Sequence, residues 1–82
     1  MVLVDIFVPA VDKTYNFSLN ENTAIEGVIL EITEMIDQKE RTKLLGDKES
    51  LNLYTMRDSA VLPKTNTLSD CYVTSGSKLL MV

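Results

Sequence analysis

The stretch Ser69-Asp70-Cys71 is where this chain comes nearest to covalent chemistry. A cysteine nucleophile needs a neighbouring base, cation or metal that stabilises its thiolate. The sequence has no His, and Cys71 has no Lys or Arg beside it. Cys71 therefore reads as a half-buried structural thiol, and Ser69 and Asp70 as groups that bond to local amides in a capped turn. The lack of His also removes the usual general base and the commonest metal ligand. Two acidic pairs remain, Asp12 with Glu21 and Asp47 with Glu49, and neither has the spacing of a calcium loop. The sequence thus leads us to expect no catalytic residue, no metal and no cofactor, and a protein that is not an enzyme.

Composition narrows the partners. The 82 residues are enough for one domain spanning 1–82, near the lower end of what a hydrophobic core alone stabilises. Hydrophobic residues make up 45% and charged residues 24%, a balance that suits a globular fold and not a disordered chain. The net charge of −4 disfavours nucleic acid and anionic membrane surfaces, since both need clustered Lys and Arg. No apolar run approaches the ~18 residues of a membrane span, so direct membrane insertion is not expected. Met1–Val8 lacks the basic start and cleavage pattern of a signal peptide and reads as a strand. A single Cys suits a reducing compartment, which makes a cytoplasmic location the expectation.

The elements that must position any site follow from periodicity. In "MVLVDIFV", Val4, Ile6 and Val8 share one face and Asp5 and Phe7 the other. "PAVDK" is a turn, and "TYNFSL" then alternates Tyr15, Phe17 and Leu19 against Asn16, Ser18 and Asn20. Together they predict a hairpin. Ile25, Val28, Ile29, Ile32, Met35 and Ile36 recur at helical spacing and predict a helix over Thr23–Asp37. Thr23 and Glu26 have the spacing of a capping box at its start. Gly27, which costs roughly 1 kcal/mol relative to Ala in a helix, suggests a close approach of helix to sheet. "KERTKLLGDKES" is a charged connector, with Leu44 and Leu45 as candidates to tuck into the core edge and a turn at Gly46-Asp47. "LNLYTM", "VLP" and "KLLMV" predict three more strands, and "TLSDCYV" a short capped helical turn. The order strand, strand, helix, strand, strand, strand is α+β, with one helix across a mixed sheet of about five strands. The first and last strands are expected to run parallel in the middle of that sheet.

This order resembles the β-grasp fold of ubiquitin. The likeness is also local: "IFV" in the first strand, Thr23, Ile25, Glu26, Val28 and Ile32 along the helix, and "TLSD" from Thr67 to Asp70. Within that superfamily the chain is most similar to the small bacterial YukD/EsaB proteins that accompany type VII secretion systems. Leu68-Ser69-Asp70-Cys71 matches their closing turn, and Ser75-Gly76-Ser77 matches the glycine-bearing loop after it. The resemblance implies a cytoplasmic accessory or regulator that binds a protein partner non-covalently, such as a membrane component of the secretion machine.

Ubiquitin and the sulfur carriers of the same fold act through a C-terminal Gly-Gly extension. This sequence closes on Leu80-Met81-Val82, which turns the expectation toward non-covalent binding and away from a modifier or sulfur carrier activated at its C-terminus. A ubiquitin-like domain belonging to a longer protein is the other alternative. Starting at Met1 argues against truncation at the front, and nothing rules it out at the back. Strand phase puts Phe7, Tyr54, Leu80 and Val82 on the sheet face away from the helix, with Val11 in the nearby hairpin turn. By position these five resemble the apolar patch through which ubiquitin is recognised, and they are the expected protein-interaction patch.

Overall fold

The computed structural model describes residues 1–41 and 50–82. Strand β1 (Val2–Val8) turns through a short 3-10 segment at Pro9–Val11 into β2 (Lys13–Leu19). Asp12 closes that turn with a left-handed backbone, φ 51°. Helix α1 (Ile25–Glu40) follows, then β3 (Leu53–Thr55) and β4 (Lys78–Met81). The strands form one sheet in the order β2-β1-β4-β3. β1 runs antiparallel to β2 and parallel to β4, and β3 runs antiparallel to β4. The expected parallel pairing of first and last strands is therefore present at the centre.

Alternation explains the core. Val4, Ile6 and Val8 of β1, Tyr15, Phe17 and Leu19 of β2, and Leu79 and Met81 of β4 are buried on the inner face. Ile25, Val28, Ile29, Ile32 and Ile36 of α1 meet them in one cluster that also takes in Leu53, Leu62, Leu68 and Val73. Met35 lies only half inside it, whereas Thr33 is fully buried and donates its hydroxyl to the Leu30 carbonyl at 2.9 Å. That bond to the turn before it lets a polar side chain stay in the interior.

Four expectations need correction. Among the described residues the sheet has four strands rather than five, because "VLP" contributes a single bridge, Val61 to Tyr54. Pro63 has no N–H with which to continue a ladder. The third strand shortens from 51–56 to Leu53–Thr55, although Asn52 still exchanges two backbone bonds with Val82 at 2.7 and 3.1 Å. The helix begins two residues later and ends three later than its apolar stripe suggests. Thr23 is not its cap: the N-cap is Ala24, with no side-chain cap bond. The loop before the closing turn does that work, since the N–H groups of Ile25 and Glu26 donate to the carbonyls of Asn66 and Lys64 at 2.7 and 3.1 Å. Finally, Gly27 does not bring the helix close to the sheet. A methyl placed there would meet the Thr23 side-chain methyl at 3.2 Å. Leu44, Leu45, Gly46-Asp47 and the pair Asp47 with Glu49 lie outside the described residues.

The closing turn is capped at both ends. The Asp70 carboxylate accepts from the Thr67 N–H and the Thr67 hydroxyl accepts from the Asp70 N–H, each at 3.0 Å. This reciprocal pair is a capping box made with Asp in place of Glu. At the other end Tyr72 N–H donates to Ser69 O and Val73 N–H to Leu68 O. That is the Schellman pattern, with Leu68 and Val73 packed in the core beneath it. Asp70 thus has the local bonding role expected for it, while Ser69 takes part through its backbone, donating to the Glu21 carbonyl at 2.9 Å.

Candidate protein-interaction face

The strand period that buries one face of the sheet turns the opposite set outward. On β1 the outward residues are Leu3, Asp5 and Phe7, and on β4 they are Lys78 and Leu80. Register then sets their neighbours. Phe7 lies opposite Thr14 on one side and Leu80 on the other. Leu80 lies opposite Tyr54, and Tyr54 bridges Val61. Residues directly opposite in a sheet point to the same side, so Phe7, Leu80, Tyr54 and Val61 form one apolar row across the outer face. A second row runs Asn16, Asp5 and Lys78, and Met56 joins it by donating its N–H to the Lys78 carbonyl at 3.1 Å.

Three of the five expected patch residues, Phe7, Tyr54 and Leu80, therefore sit side by side. Val82 has the same phase as Leu80, is 45% exposed, and stands opposite Asn52 at the end of the ladder. Val11 does not join them. It is half-buried in the hairpin turn and packs against the core cluster. Sequence reasoning missed Leu3, Met56 and Val61, which are 50%, 50% and 52% exposed on this same face. Alternation along β1 was signal enough for Leu3, and alternation from Tyr54 for Met56. Nothing local could place Val61, because its neighbour Tyr54 is reached only through the tertiary bridge.

The row next to the apolar one is polar and charged. Asp5 is held by the Asn16 amide, which donates to its carboxylate at 2.6 Å. Lys78 stands exposed next to it on β4. This sets a polar row directly beside the apolar one, with Leu3 on its far side.

The other candidate groups have structural surroundings. Burial pushes the Cys71 thiol above its ordinary pKa, and the neighbouring Asp70 charge adds to this, while a hydrogen bond with Asn66 opposes it. Both main effects disfavour the thiolate that nucleophilic chemistry needs. Asp12 and Glu21 lie at opposite ends of β2, too far apart to share a metal, and Glu21 instead pairs with the N-terminal ammonium at 2.8 Å. Among the described residues no group of three or more His, Cys, Asp or Glu side chains comes together. Glu40, at the end of α1, accepts from the Lys13 ammonium at 2.9 Å and from the Tyr15 hydroxyl at 2.8 Å, and the Lys39 ammonium lies 5.4 Å from the Tyr15 ring centre. This group fastens the helix end to the start of β2. Among the described residues no helix is long and apolar enough to cross a membrane.

No family model and no curated protein sequence matches the chain. Solved structures do. The N-terminal ubiquitin-like domain of the 4931431F19Rik protein superposes with a TM-score of 0.76 at 18% identity, over 99% of this chain and 72% of that one. The ubiquitin of Caldiarchaeum subterraneum gives 0.74 at 15% identity, over 98% and 89%. The ubiquitin-like domain of Arabidopsis thaliana protein At2g32350 gives 0.74 at 12% identity, over 99% and 74%.

The fold is ubiquitin-like. At such identities the likeness is one of architecture, and the function of a ubiquitin-like domain has to be argued from its own surface. In this ubiquitin-like fold the outer sheet face sets Phe7, Leu80, Tyr54 and Val61 in one row, with Met56 and Val82 next to it on the flanking positions and Leu3 beyond the polar row. The exposed helix face carries Glu26, Glu31 and Glu34, with Leu30 as its one large exposed apolar side chain among the described residues.

Proposed function

We propose that this ubiquitin-like chain is a protein-interaction module that binds non-covalently through its outer sheet face, and that it works in the cytoplasm as an accessory of a type VII secretion machine. The observation that supports binding is the row Phe7, Leu80, Tyr54 and Val61, four apolar side chains drawn from four separate segments onto one surface. Its partner is a protein that offers an apolar cluster to this row and an acidic group to Lys78. Tyr54 is the anchor, because a rigid ring with a polar tip dominates many interfaces. The secretion assignment rests on the resemblance of the Leu68-Ser69-Asp70-Cys71 turn and the Ser75-Gly76-Ser77 loop to the YukD/EsaB proteins.

The test is affinity capture from the native cell with four baits: the parent chain, Tyr54→Ala, Leu80→Ala and Glu34→Ala. Parent and Glu34→Ala are expected to retain a membrane ATPase or channel subunit of the secretion machine. Tyr54→Ala is expected to weaken that complex by about 2 kcal/mol or more. A partner from another machine, lost with the same two variants, would uphold the module and overturn the secretion role. Equal capture by all four baits would move the interface off the sheet face.

A further inference from the structure

The two edges of the sheet are built differently. At the β3 edge the strand is three residues long and the 60–62 segment folds back onto it. Thr55 N–H donates to Ala60 O at 2.9 Å and Leu62 N–H to Leu53 O at 2.8 Å. At the other edge β2 runs for seven residues without proline, and all seven pair with β1 in unbroken register, with no bulge. Among the described residues no strand lies beyond it.

The direction of its free backbone groups can be read from β1. Neighbouring residues of a strand turn their N–H and C=O groups to opposite sides. Asp5 N–H donates to Ser77 O and Leu3 O accepts from Gly76 N–H, at 3.1 and 2.8 Å, so the odd residues of β1 serve the β4 side. Its even residues serve β2 through Leu19, Phe17, Tyr15 and Lys13. Thr14, Asn16 and Ser18, all exposed, therefore turn their backbone donors and acceptors away from the sheet. A row of this kind is a template for another strand.

We propose that β2 pairs antiparallel with β2 of a second copy of this chain, joining two sheets into one. With the two-fold axis at Phe17, Asn16 lies opposite Ser18 of the second copy and Tyr15 opposite Leu19, while Thr14 and Lys13 reach the turn just past the end of the second copy's strand, which brings Lys13 beside Glu21. Inner residues then meet inner residues and polar ones meet polar ones, and each copy gives one cation and one carboxylate to two equivalent ion pairs. Moving the axis to Asn16 would keep the faces but set Lys13 against Leu19, so charge selects the Phe17 register. Lys13 and Glu21 already have partners within the chain, yet their side chains are 54% and 34% exposed and have donors and acceptors to spare. The contact is made by one seven-residue strand from each copy, and small interfaces of this kind are weak, so the dimer is reversible and concentration-dependent.

Sedimentation equilibrium from micromolar to millimolar protein tests this. The parent mass is expected to rise from 9.2 kDa toward twice that value. Lys13→Glu and Glu21→Lys should each stay monomeric, since each sets like charges opposite one another. An equimolar mixture of the two should regain the dimer, because the mixed pair restores both ion pairs. Ser18→Pro, which removes one outward N–H and no bond to β1, should stay monomeric with its melt otherwise folded. Tyr54→Ala should dimerise as the parent does. A parent that remains at 9.2 kDa throughout, a mixture that does not recover, or a dimer lost in Tyr54→Ala would each overturn the proposal. The edge and the sheet face are separate surfaces, so this result and that of the capture experiment are independent.

Discussion

Tyr72 occupies a position that glycine fills in most turns of its kind, and replacing it should stabilise the protein. It is the residue after the cap in the Schellman turn, with φ 59°, and its ring is 90% exposed. A side chain in the left-handed region costs about 1–2 kcal/mol through its Cβ. Glycine removes that strain but loses about 0.5–1 kcal/mol more to the entropy of the unfolded chain. The ring buries almost nothing, so its removal forfeits little apolar area. Tyr72→Gly should therefore gain about 0.5–1 kcal/mol, while Tyr72→Ala keeps the strain and stays within about 0.5 kcal/mol of the parent. For a domain of this size the gain corresponds to a rise in Tm of about 2–8 °C. Urea melts give the free-energy change of each variant and thermal melts the Tm, with the urea slope m held constant as the sign that only stability has changed. A Tyr72→Gly variant that is less stable than the parent would show that the ring makes contacts in the folded state, and the strain argument would fail.

Ile32→Ala opens a cavity in the centre of the helix–sheet core, where Ile32 is fully buried, and should cost about 2–5 kcal/mol. A loss below about 0.5 kcal/mol in a denaturant melt would mean that the helix presents another face to the sheet. The Glu40 carboxyl is held below its ordinary value by the Lys13 ammonium and then by the Tyr15 hydroxyl. Its stabilising contribution should be present above the unfolded carboxyl pKa, be lost as pH falls through the lower folded value, and vanish from the acid limb of the profile in Glu40→Gln. Burial first, and Glu40 second, push the Tyr15 hydroxyl up to about 12. Stability from its neutral form should hold below the unfolded pKa of about 10 and drain away as pH rises through about 12. Ultraviolet titration of tyrosinate should show one late step that Tyr15→Phe removes. Cys71→Ser should fold as the parent does, and the Cys71 thiol should alkylate more slowly in the folded chain than in the denatured one, since burial and the Asp70 charge both oppose the thiolate.

What the sequence determined by itself is what depends on local period. Alternation in β1 and β2 separates Val4, Ile6, Tyr15 and Phe17 from the residues that face outward, because a strand side chain has only two sides to choose between. The helix stripe from Ile25 to Ile36 is legible for the same reason at a period of 3.6. Phe7, Tyr54 and Leu80 could thus be assigned to the outer face one strand at a time. That they touch is a matter of register across β1, β4 and β3, which joins residues far apart in the chain. Tertiary structure also decided the helix start. The carbonyls of Asn66 and Lys64 arrive from across the fold to meet the first helical N–H groups, so the local signal of Thr23 and Glu26 had no free donors left to satisfy. Val11 was misplaced because a turn residue has no strand phase, and the hairpin rolled it onto the core. The open edge of β2 was likewise invisible in the sequence, since a strand's composition does not say which of its two sides will find a neighbour.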